Sequence, residues 1–137
     1  MKAVLDTNVL ISGVIATGVP HKLLVRGLEH EYQIVVSVET LTEFRETLLK
    51  YPERFHMDED EVQEEVETLR YFAEFVAPQE DITAVEDDPD DDKFLEAAVA
   101  GDVDYLVSGD GHLLSLDSFR GIGIVEPRTF YELLDDQ

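Results

Sequence analysis

The sequence predicts an α/β fold in which a central, mainly parallel sheet of four to five strands is covered on both faces by helices. Short apolar runs of strand length alternate along the chain with longer segments whose apolar residues recur at helical spacing. This alternation is typical of parallel strands connected by helices in a three-layer arrangement. The chain has 137 residues, of which 44% are hydrophobic, and this matches one domain with one core. We therefore expect a single domain over residues 1–137, without internal repeats.

Five segments are predicted to be strands, because they are short, apolar and rich in β-branched or aromatic residues. The first predicted strand begins at Lys2 and ends just before the polar residue Asp6. The predicted strands are residues 2–5, 33–36, 75–77, 105–107 and 121–125.

Six segments are predicted to be helical from the spacing of their apolar residues. Ser37 can cap the helix after the second strand, and Pro127 suits the first turn of the last helix. The acidic stretch 81–92 contains Pro89 and is predicted to be a loop. The predicted helices are residues 8–15 (a short helical or turning piece), 21–30, 38–49, 58–75, 93–100 and 127–134.

The charge balance is unusual, with 32 Asp and Glu residues against 10 Lys and Arg residues and a formal net charge of −22. Self-repulsion on this scale destabilises a compact state at low salt. At about 1 M salt the Debye length falls to about 3 Å, and most of that penalty disappears. The composition therefore favours a salt-adapted, halophilic source. An acidic protein from a moderate environment is the alternative.

The absence of cysteine excludes disulfides, thiolate metal sites and a cysteine nucleophile. A metal ion would then be held by hard oxygen ligands, which suit Mg²⁺ or Mn²⁺. The sequence has no apolar run of about 18 residues and no basic-then-apolar leader. We therefore expect a soluble, cytoplasmic protein that does not act at a membrane.

Four acidic positions, far apart in the chain, are placed where their carboxylates could reach one point. Asp6 and Asp110 each follow a predicted strand. Glu43 lies in the helix after the second strand, and Asp92 opens a later helix. Open α/β sheets bind ligands at the carboxyl ends of their strands, and helix N-termini favour negative charge. Acids that converge on one point indicate a divalent cation.

Each of these acids also has a plain structural interpretation. Asp6 could cap the next helix, and the Gly-Asp-Gly sequence around Asp110 could be a surface turn. Most helical glutamates are solvated, and Glu39 competes with Glu43 for a place in the site. His112 is close to Asp110, but it is assigned no catalytic role, because a lone exposed histidine is more often inert.

The acidic run before Lys93 does not have the pattern of a calcium-binding EF-hand loop. Counting from Asp88, acids occupy positions 1, 3 and 5, but position 6 is Lys93 where the turn needs glycine. Position 12 is Val99 where a bidentate glutamate is needed. Most of the run is therefore interpreted as a solvated loop. Asp91 and Asp92 differ from the rest because they adjoin the apolar face of the next helix.

The order and spacing of these acids are more specific than any one motif. Four segments contain them: residues 4–12 (VLDTNVLIS), 41–44 (LTEF), 90–98 (DDDKFLEAA) and 104–110 (DYLVSGD). Together these segments resemble the PIN-domain nucleases, and most closely the VapC-like branch, whose members are toxin components of toxin–antitoxin systems. The resemblance spans nearly the whole chain and implies a PIN-like three-layer fold.

The resemblance assigns the family's first acid to Asp6, its second to Glu43 and its fourth to Asp110. The third acid is open between Asp91 and Asp92. Spacing to Asp110 favours Asp92, which we take as the metal ligand together with the other three acids. The toxin-like branch often has Asp-Asp-Asn-Lys-Phe at this point, which would select Asp91 instead. The neighbouring residues expected to steady these carboxylates are Thr7, Asn8 and Ser108.

The resemblance further implies a ribonuclease that depends on Mg²⁺ or Mn²⁺ and hydrolyses RNA phosphodiester bonds. It also implies a cognate antitoxin as partner and a homodimer as assembly. Whether one or two ions bind is open. A net charge of −22 opposes RNA binding, although high salt would screen it. The residues available for phosphate contacts are His21, Lys22, Arg26, Arg45, Lys93 and Arg128.

Other classes of protein also place acids around Mg²⁺ at strand ends. A receiver-like regulatory domain needs a lysine at the end of a later strand, and none follows residues 121–125. A haloacid-dehalogenase-type phosphatase needs an acid two residues after its nucleophile, where Asn8 follows Asp6. A catalytically inactive PIN-fold module is the third alternative. The presence of all four acids argues against it.

Overall fold

The computed structural model describes residues 1–136, so the predicted domain end at residue 137 lies just outside them. Within these residues the strands are β1 (Lys2–Leu5), β2 (Gln33–Val36), β3 (Glu74–Phe75), β4 (Tyr105–Val107), β5 (Ser118–Phe119) and β6 (Ile122–Val125). They form one six-stranded sheet in the order β3-β2-β1-β4-β6-β5. The neighbouring strands are parallel except β5, which runs antiparallel to β6.

The central strand β1 is buried on both faces, as expected of a parallel sheet covered by helices. Ala3 aligns with Ile34 of β2 on one side and with Tyr105 of β4 on the other. Ala3 and Leu5 point into one core cluster and Val4 into the other, because side chains alternate along a strand.

Helices connect the strands and supply both outer layers. Two of them begin with a capping box: Ser37 and Thr40 form one, and Asp58 and Glu61 form the other. The helices within residues 1–136 are α1 (Thr7–Ile15), α2 (Val19–Leu28), α3 (Val38–Lys50), α4 (Pro52–Phe55), α5 (Glu59–Phe72), α6 (Asp92–Ala100), α7 (Gly111–Leu114) and α8 (Pro127–Asp135).

One core cluster takes its apolar side chains from α1, α2, α3, α5 and α8, and the other takes them from α6, α7 and the loop around Ile82 and Val85. No single helix in residues 1–136 is long and apolar enough to cross a membrane. In the same residues, α1 and α2 together have the length and composition that a span requires, but the pair is bent by 94°.

The predicted mainly parallel α/β fold is confirmed, with one more strand than expected. The additional strand β5 has only two residues and belongs to a hairpin in which Asp117 and Arg120 have positive φ angles of 63° and 50°. The helix predicted over residues 58–75 ends at Phe72 instead, because the chain becomes extended at Ala73 and pairs with β2. The short elements α4, α7 and the 3₁₀ helix Pro89–Asp91 were not predicted, since a single turn shows no helical period.

Candidate active site

The strand order reverses at β1: β2 and β3 follow on one side of β1, and β4, β6 and β5 lie on the other side. In open α/β sheets the loops diverge at such a reversal and leave a crevice at the carboxyl ends of the strands. A cavity of about 230 Å³ opens at this place. Its lining residues are Asp6, Thr7, Asn8, Glu43, Thr47, Asp88, Asp90, Asp91, Phe94 and Asp110.

Asp6 directly follows β1, and it caps α1 as well as lining the cavity. Its Oδ1 accepts a hydrogen bond from the backbone N–H of Val9 at 2.9 Å, and its Oδ2 accepts one from the hydroxyl of Ser108. Burial raises the pKa of Asp6 above its ordinary value, although these two hydrogen bonds lower it. The charges of Asp110 and Glu43 raise the pKa further. The helix-cap interpretation and the functional interpretation of Asp6 therefore do not exclude each other.

Glu43 reaches the cavity from the second turn of α3. Its Oε2 accepts a hydrogen bond from the hydroxyl of Thr7, and its Oε1 lies 3.0 Å from Nζ of Lys93. Within residues 1–136, no other lysine or arginine forms an ion pair with a residue that lines the cavity. Glu39, the competing glutamate of α3, is exposed and does not line the cavity.

Asp91 and Asp92 are adjacent but have different surroundings. Oδ1 of Asp92 accepts hydrogen bonds from the backbone N–H groups of Ala84 and Val85, at 3.0 and 2.9 Å, so it holds the preceding loop. Asp92 does not line the cavity, whereas Asp91 does. Successive side chains of a 3₁₀ turn point about 120° apart. The spacing that favoured Asp92 could not separate the two residues, and the positions of their side chains favour Asp91.

The carboxylate of Asp91 is the most perturbed acid of the cavity. Its side chain is 8% exposed, and its Oδ2 has no hydrogen-bond partner among the described residues. Burial, followed by the negative charges of Asp110 and Asp88, raises the pKa of Asp91 to about 7. A hydrogen bond that protonated Asp91 shares with the side chain of Asp110 contributes to this shift. A buried carboxylate oxygen without a donor is costly unless a cation or a proton satisfies it.

Asp110 follows β4 and caps α7. Its Oδ1 accepts a hydrogen bond from the backbone N–H of His112 at 2.7 Å, and its own N–H donates to Oγ of Ser108 at 2.9 Å. Asp110 also belongs to a group of four side chains whose ligand atoms all lie within 4.8 Å of one another: Asp88, Asp91, Asp110 and His112. This group brings two unpredicted residues to the site. The sequence predicts Asp88 to lie in a solvated loop and assigns no role to His112.

The predicted supporting residues differ in what they contact. Thr7 and Ser108 each donate a hydrogen bond to a cavity carboxylate. Asn8 lines the cavity but is exposed, and its side chain donates to none of these carboxylates in the described part of the chain. Of the residues considered for phosphate contacts, Lys93 forms an ion pair with the cavity residue Glu43, whereas Arg26 pairs with Glu31 and Asp135, which do not line the cavity.

The ligand atoms that the cavity offers fit a divalent cation. Carboxylate oxygens are hard ligands, and several of them face one small space. The partnerless oxygen of Asp91 is the position at which a cation would replace a missing hydrogen-bond donor. The residues able to hold it are five that line the cavity, Asp6, Glu43, Asp88, Asp91 and Asp110, and His112, which lies beside Asp88, Asp91 and Asp110 without lining the cavity.

The comparisons with known proteins agree with this fold. A crystal structure of PAE2754 from Pyrobaculum aerophilum superposes with a TM-score of 0.65 over 100% of this chain and 91% of that chain. At 12% sequence identity this similarity concerns the fold alone. None of the curated protein sequences matches the chain. The family model described as PIN domain matches residues 2–112, and the chain therefore belongs to the PIN-domain family, whose members are generally metal-dependent nucleases.

Proposed function

We propose that this chain is a divalent-metal-dependent endoribonuclease of the VapC-like branch and acts as the toxin of a toxin–antitoxin system. One observation carries the catalytic part of the proposal: the buried Asp91 has a carboxylate oxygen without a hydrogen-bond donor and lines a cavity together with Asp6, Glu43 and Asp110. Membership of the PIN-domain family supports the nuclease class.

In this proposal Asp6, Glu43, Asp91 and Asp110 hold Mg²⁺ or Mn²⁺, and Asp92 holds the loop. A divalent cation held by these residues would supply two things that phosphodiester hydrolysis needs: neutralisation of the phosphate charge and a more acidic water molecule. Asp91 replaces Asp92 as the third acid, because Asp91 lines the cavity and Asp92 does not.

The residues around these acids set their positions and charge. Ser108 and the N–H of Val9 each hold one oxygen of Asp6. Thr7 holds one oxygen of Glu43, while Lys93 neutralises the other. Fixed carboxylates lose less conformational entropy when they bind a cation, which is the expected role of such supporting hydrogen bonds.

A polymeric substrate is supported by the size and chemistry of the cavity. Pockets that enclose a small ligand usually have about 300 to 1,000 Å³ and mostly apolar walls. This cavity has about 230 Å³, and carboxylates and other polar side chains make up most of its lining. It therefore suits one phosphodiester of a strand that continues on both sides. We propose RNA as the nucleic acid, a cognate antitoxin as partner and a homodimer as assembly on the basis of the VapC-like resemblance. A cytoplasmic location is proposed as well.

A cleavage assay tests the catalytic proposal directly. Chelator-treated protein is incubated with a labelled mixture of RNAs at 0.1 and 2 M KCl, with Mg²⁺, Mn²⁺ or EDTA. We expect cleavage that requires the cation and is lost in the variants Asp6→Asn and Asp91→Asn. If wild-type protein cleaves no RNA under any of these conditions, or if Asp6→Asn cleaves as well as wild type, the nuclease proposal is wrong.

A second assay tests the role as a toxin. Expression of the wild-type chain in a host cell should stop growth, whereas Asp91→Asn should not, at equal protein levels. Co-expression of a small protein encoded next to this chain should restore growth if that protein is the antitoxin. Normal growth with active wild-type enzyme would contradict the toxin role and leave the nuclease activity standing.

A further inference from the structure

We infer that the cation site includes the imidazole of His112 and the carboxylate of Asp88, and therefore selects first-row transition cations such as Co²⁺ over Mg²⁺. The inference deepens the proposed function and rests on it for the premise that a cation occupies this cavity. It adds a nitrogen ligand to a site that sequence patterns describe as carboxylates alone.

The positions of the ligand atoms support this assignment. One ligand atom from each of Asp88, Asp91, Asp110 and His112 lies within 4.8 Å of all the others. A cation with bonds of about 2.1 Å holds neighbouring ligand atoms about 3 Å apart and opposite ones about 4 Å apart. A small inward movement of these side chains would therefore close them around one ion.

Asp91 provides the second, independent observation. Its side chain is only 8% exposed, and its Oδ2 has no hydrogen-bond partner in residues 1–136. By contrast, both oxygens of Asp6 and both oxygens of Glu43 already accept hydrogen bonds. The unsatisfied oxygen thus belongs to the close group of Asp88, Asp91, Asp110 and His112, on the side of the cavity near α7.

His112 is held in place for this role by the backbone. Its N–H donates to Oδ1 of Asp110, which fixes the first turn of α7. Its Nδ1 lies 3.6 Å from the same carboxylate oxygen, which is longer than a hydrogen bond and leaves the ring nitrogen free to face an ion between them. The side chain is half exposed, so it can turn without repacking the core.

An imidazole changes which cation the site prefers. Mg²⁺ is bound by oxygen ligands and water, whereas imidazole nitrogen suits Co²⁺, Ni²⁺ and Zn²⁺. A site that combines carboxylates with one imidazole should therefore bind Co²⁺ much more tightly than Mg²⁺. Replacing the imidazole by a carboxylate should reduce that preference while keeping the number of ligands.

Calorimetric titration of chelator-treated protein with Co²⁺ and, separately, with Mg²⁺ measures this preference. The variant His112→Asp should lower the ratio of Co²⁺ to Mg²⁺ affinity by about tenfold or more, since even outer-sphere partners change metal affinity 10- to 100-fold. The variant Asp88→Asn should weaken the binding of both cations. The matched control is His30→Asn, at a position with a φ of 61° that asparagine tolerates, and it should keep the wild-type ratio.

Proton NMR of the Co²⁺-loaded protein gives a readout independent of affinity. Imidazole coordination produces a strongly shifted exchangeable N–H resonance, which should be present in wild type and His30→Asn and absent in His112→Asp. An unchanged affinity ratio in His112→Asp, or the same shifted resonance in that variant, overturns the inference. If RNA cleavage fails while the ratio falls in His112→Asp, only the nuclease proposal is wrong. If wild-type protein binds neither cation, both are wrong.

Discussion

The hydroxyl of Ser108 donates a hydrogen bond to Oδ2 of Asp6, although the two residues are 102 positions apart in the chain. Ser108 is fully buried at the end of β4, and its Oγ also accepts the N–H of Asp110 at 2.9 Å. One side chain thus sets the relative positions of two cavity carboxylates, one after β1 and one after β4. This relationship depends on β1 and β4 being neighbours in the sheet.

Replacing Ser108 by alanine should weaken both stability and the metal site. The lost hydrogen bonds should lower the free energy of unfolding by about 1–2 kcal/mol, measured by urea denaturation. The affinity for Mn²⁺, measured by calorimetry, should fall about tenfold because Asp6 is no longer oriented. Ser118→Ala, at an exposed position, is the control. A loss of stability with unchanged affinity would assign Ser108 a purely structural role.

The paired variants Asp91→Asn and Asp92→Asn should affect different properties. Asp91→Asn should abolish metal-dependent cleavage while keeping or raising stability, since it removes a buried charge without breaking a hydrogen bond of Oδ2. Asp92→Asn should keep cleavage but lower the free energy of unfolding by about 1 kcal/mol, since bonds from Ala84 and Val85 lose their charged acceptor. Cleavage assays and urea denaturation check both expectations. The opposite pattern would restore Asp92 as the third acid.

The stability of the metal-free protein should fall as the pH rises from 5 to 8. In the unfolded chain Asp91 loses its proton around its ordinary pKa of 3.8, whereas in the folded protein its pKa is about 7. Between these values the folded state binds more protons than the unfolded state, so raising the pH lowers the free energy of unfolding. Urea denaturation across this range measures the slope, and Asp91→Asn should flatten it. An equal slope in that variant would contradict the assignment.

Cation binding should release more protons per cation at pH 6 than at pH 8.5. A carboxyl group must be ionised to bind a metal, and Asp91, with a pKa of about 7, still holds its proton at the lower pH. Calorimetry in buffers of different ionisation enthalpy counts the released protons. If wild type and Asp91→Asn release equal numbers of protons, Asp91 is not the source of the released protons.

Replacing Lys93 by methionine should strengthen cation binding and weaken RNA binding. Nζ of Lys93 lies 3.0 Å from Glu43, where it competes with a cation for the carboxylate. Both side chains are only partly buried, so the pair is worth about 1 kcal/mol, or about fivefold in affinity for Mn²⁺. The KM for RNA should rise, because the site loses a positive charge. If both affinities fall, Lys93 acts only by holding Glu43 in place.

The net charge of −22 predicts that the protein gains stability with salt. Screening at about 1 M salt shortens the Debye length to about 3 Å and reduces repulsion among the 32 acids. Refolding from urea at 0.1 and 2 M KCl should show a higher midpoint at the higher concentration. Equal midpoints would contradict salt adaptation.

The local pattern of the chain was sufficient for most of the secondary structure. The strand predicted at residues 105–107 matches β4, because a short apolar run already contains what a buried parallel strand requires. The helix predicted from residue 38 begins there, because Ser37 supplies its own cap. Two-residue strands such as β3 and β5 depend on neighbours distant in sequence, so their bounds were missed or misplaced.

The sequence by itself determined that this chain is an α/β domain with acids after two strands and at two helices, because apolar periodicity and motif spacing are local properties. Only the tertiary structure decided which acids face one cavity. Asp91 and Asp92 are adjacent in the sequence, yet the loop at Ala84 and Val85 binds one and leaves the other facing the cavity. Asp88 and His112 likewise meet only because the loop before α6 and the turn after β4 lie at the same edge of the sheet. Side-chain direction and contacts between residues distant in sequence therefore decide which residues form the site.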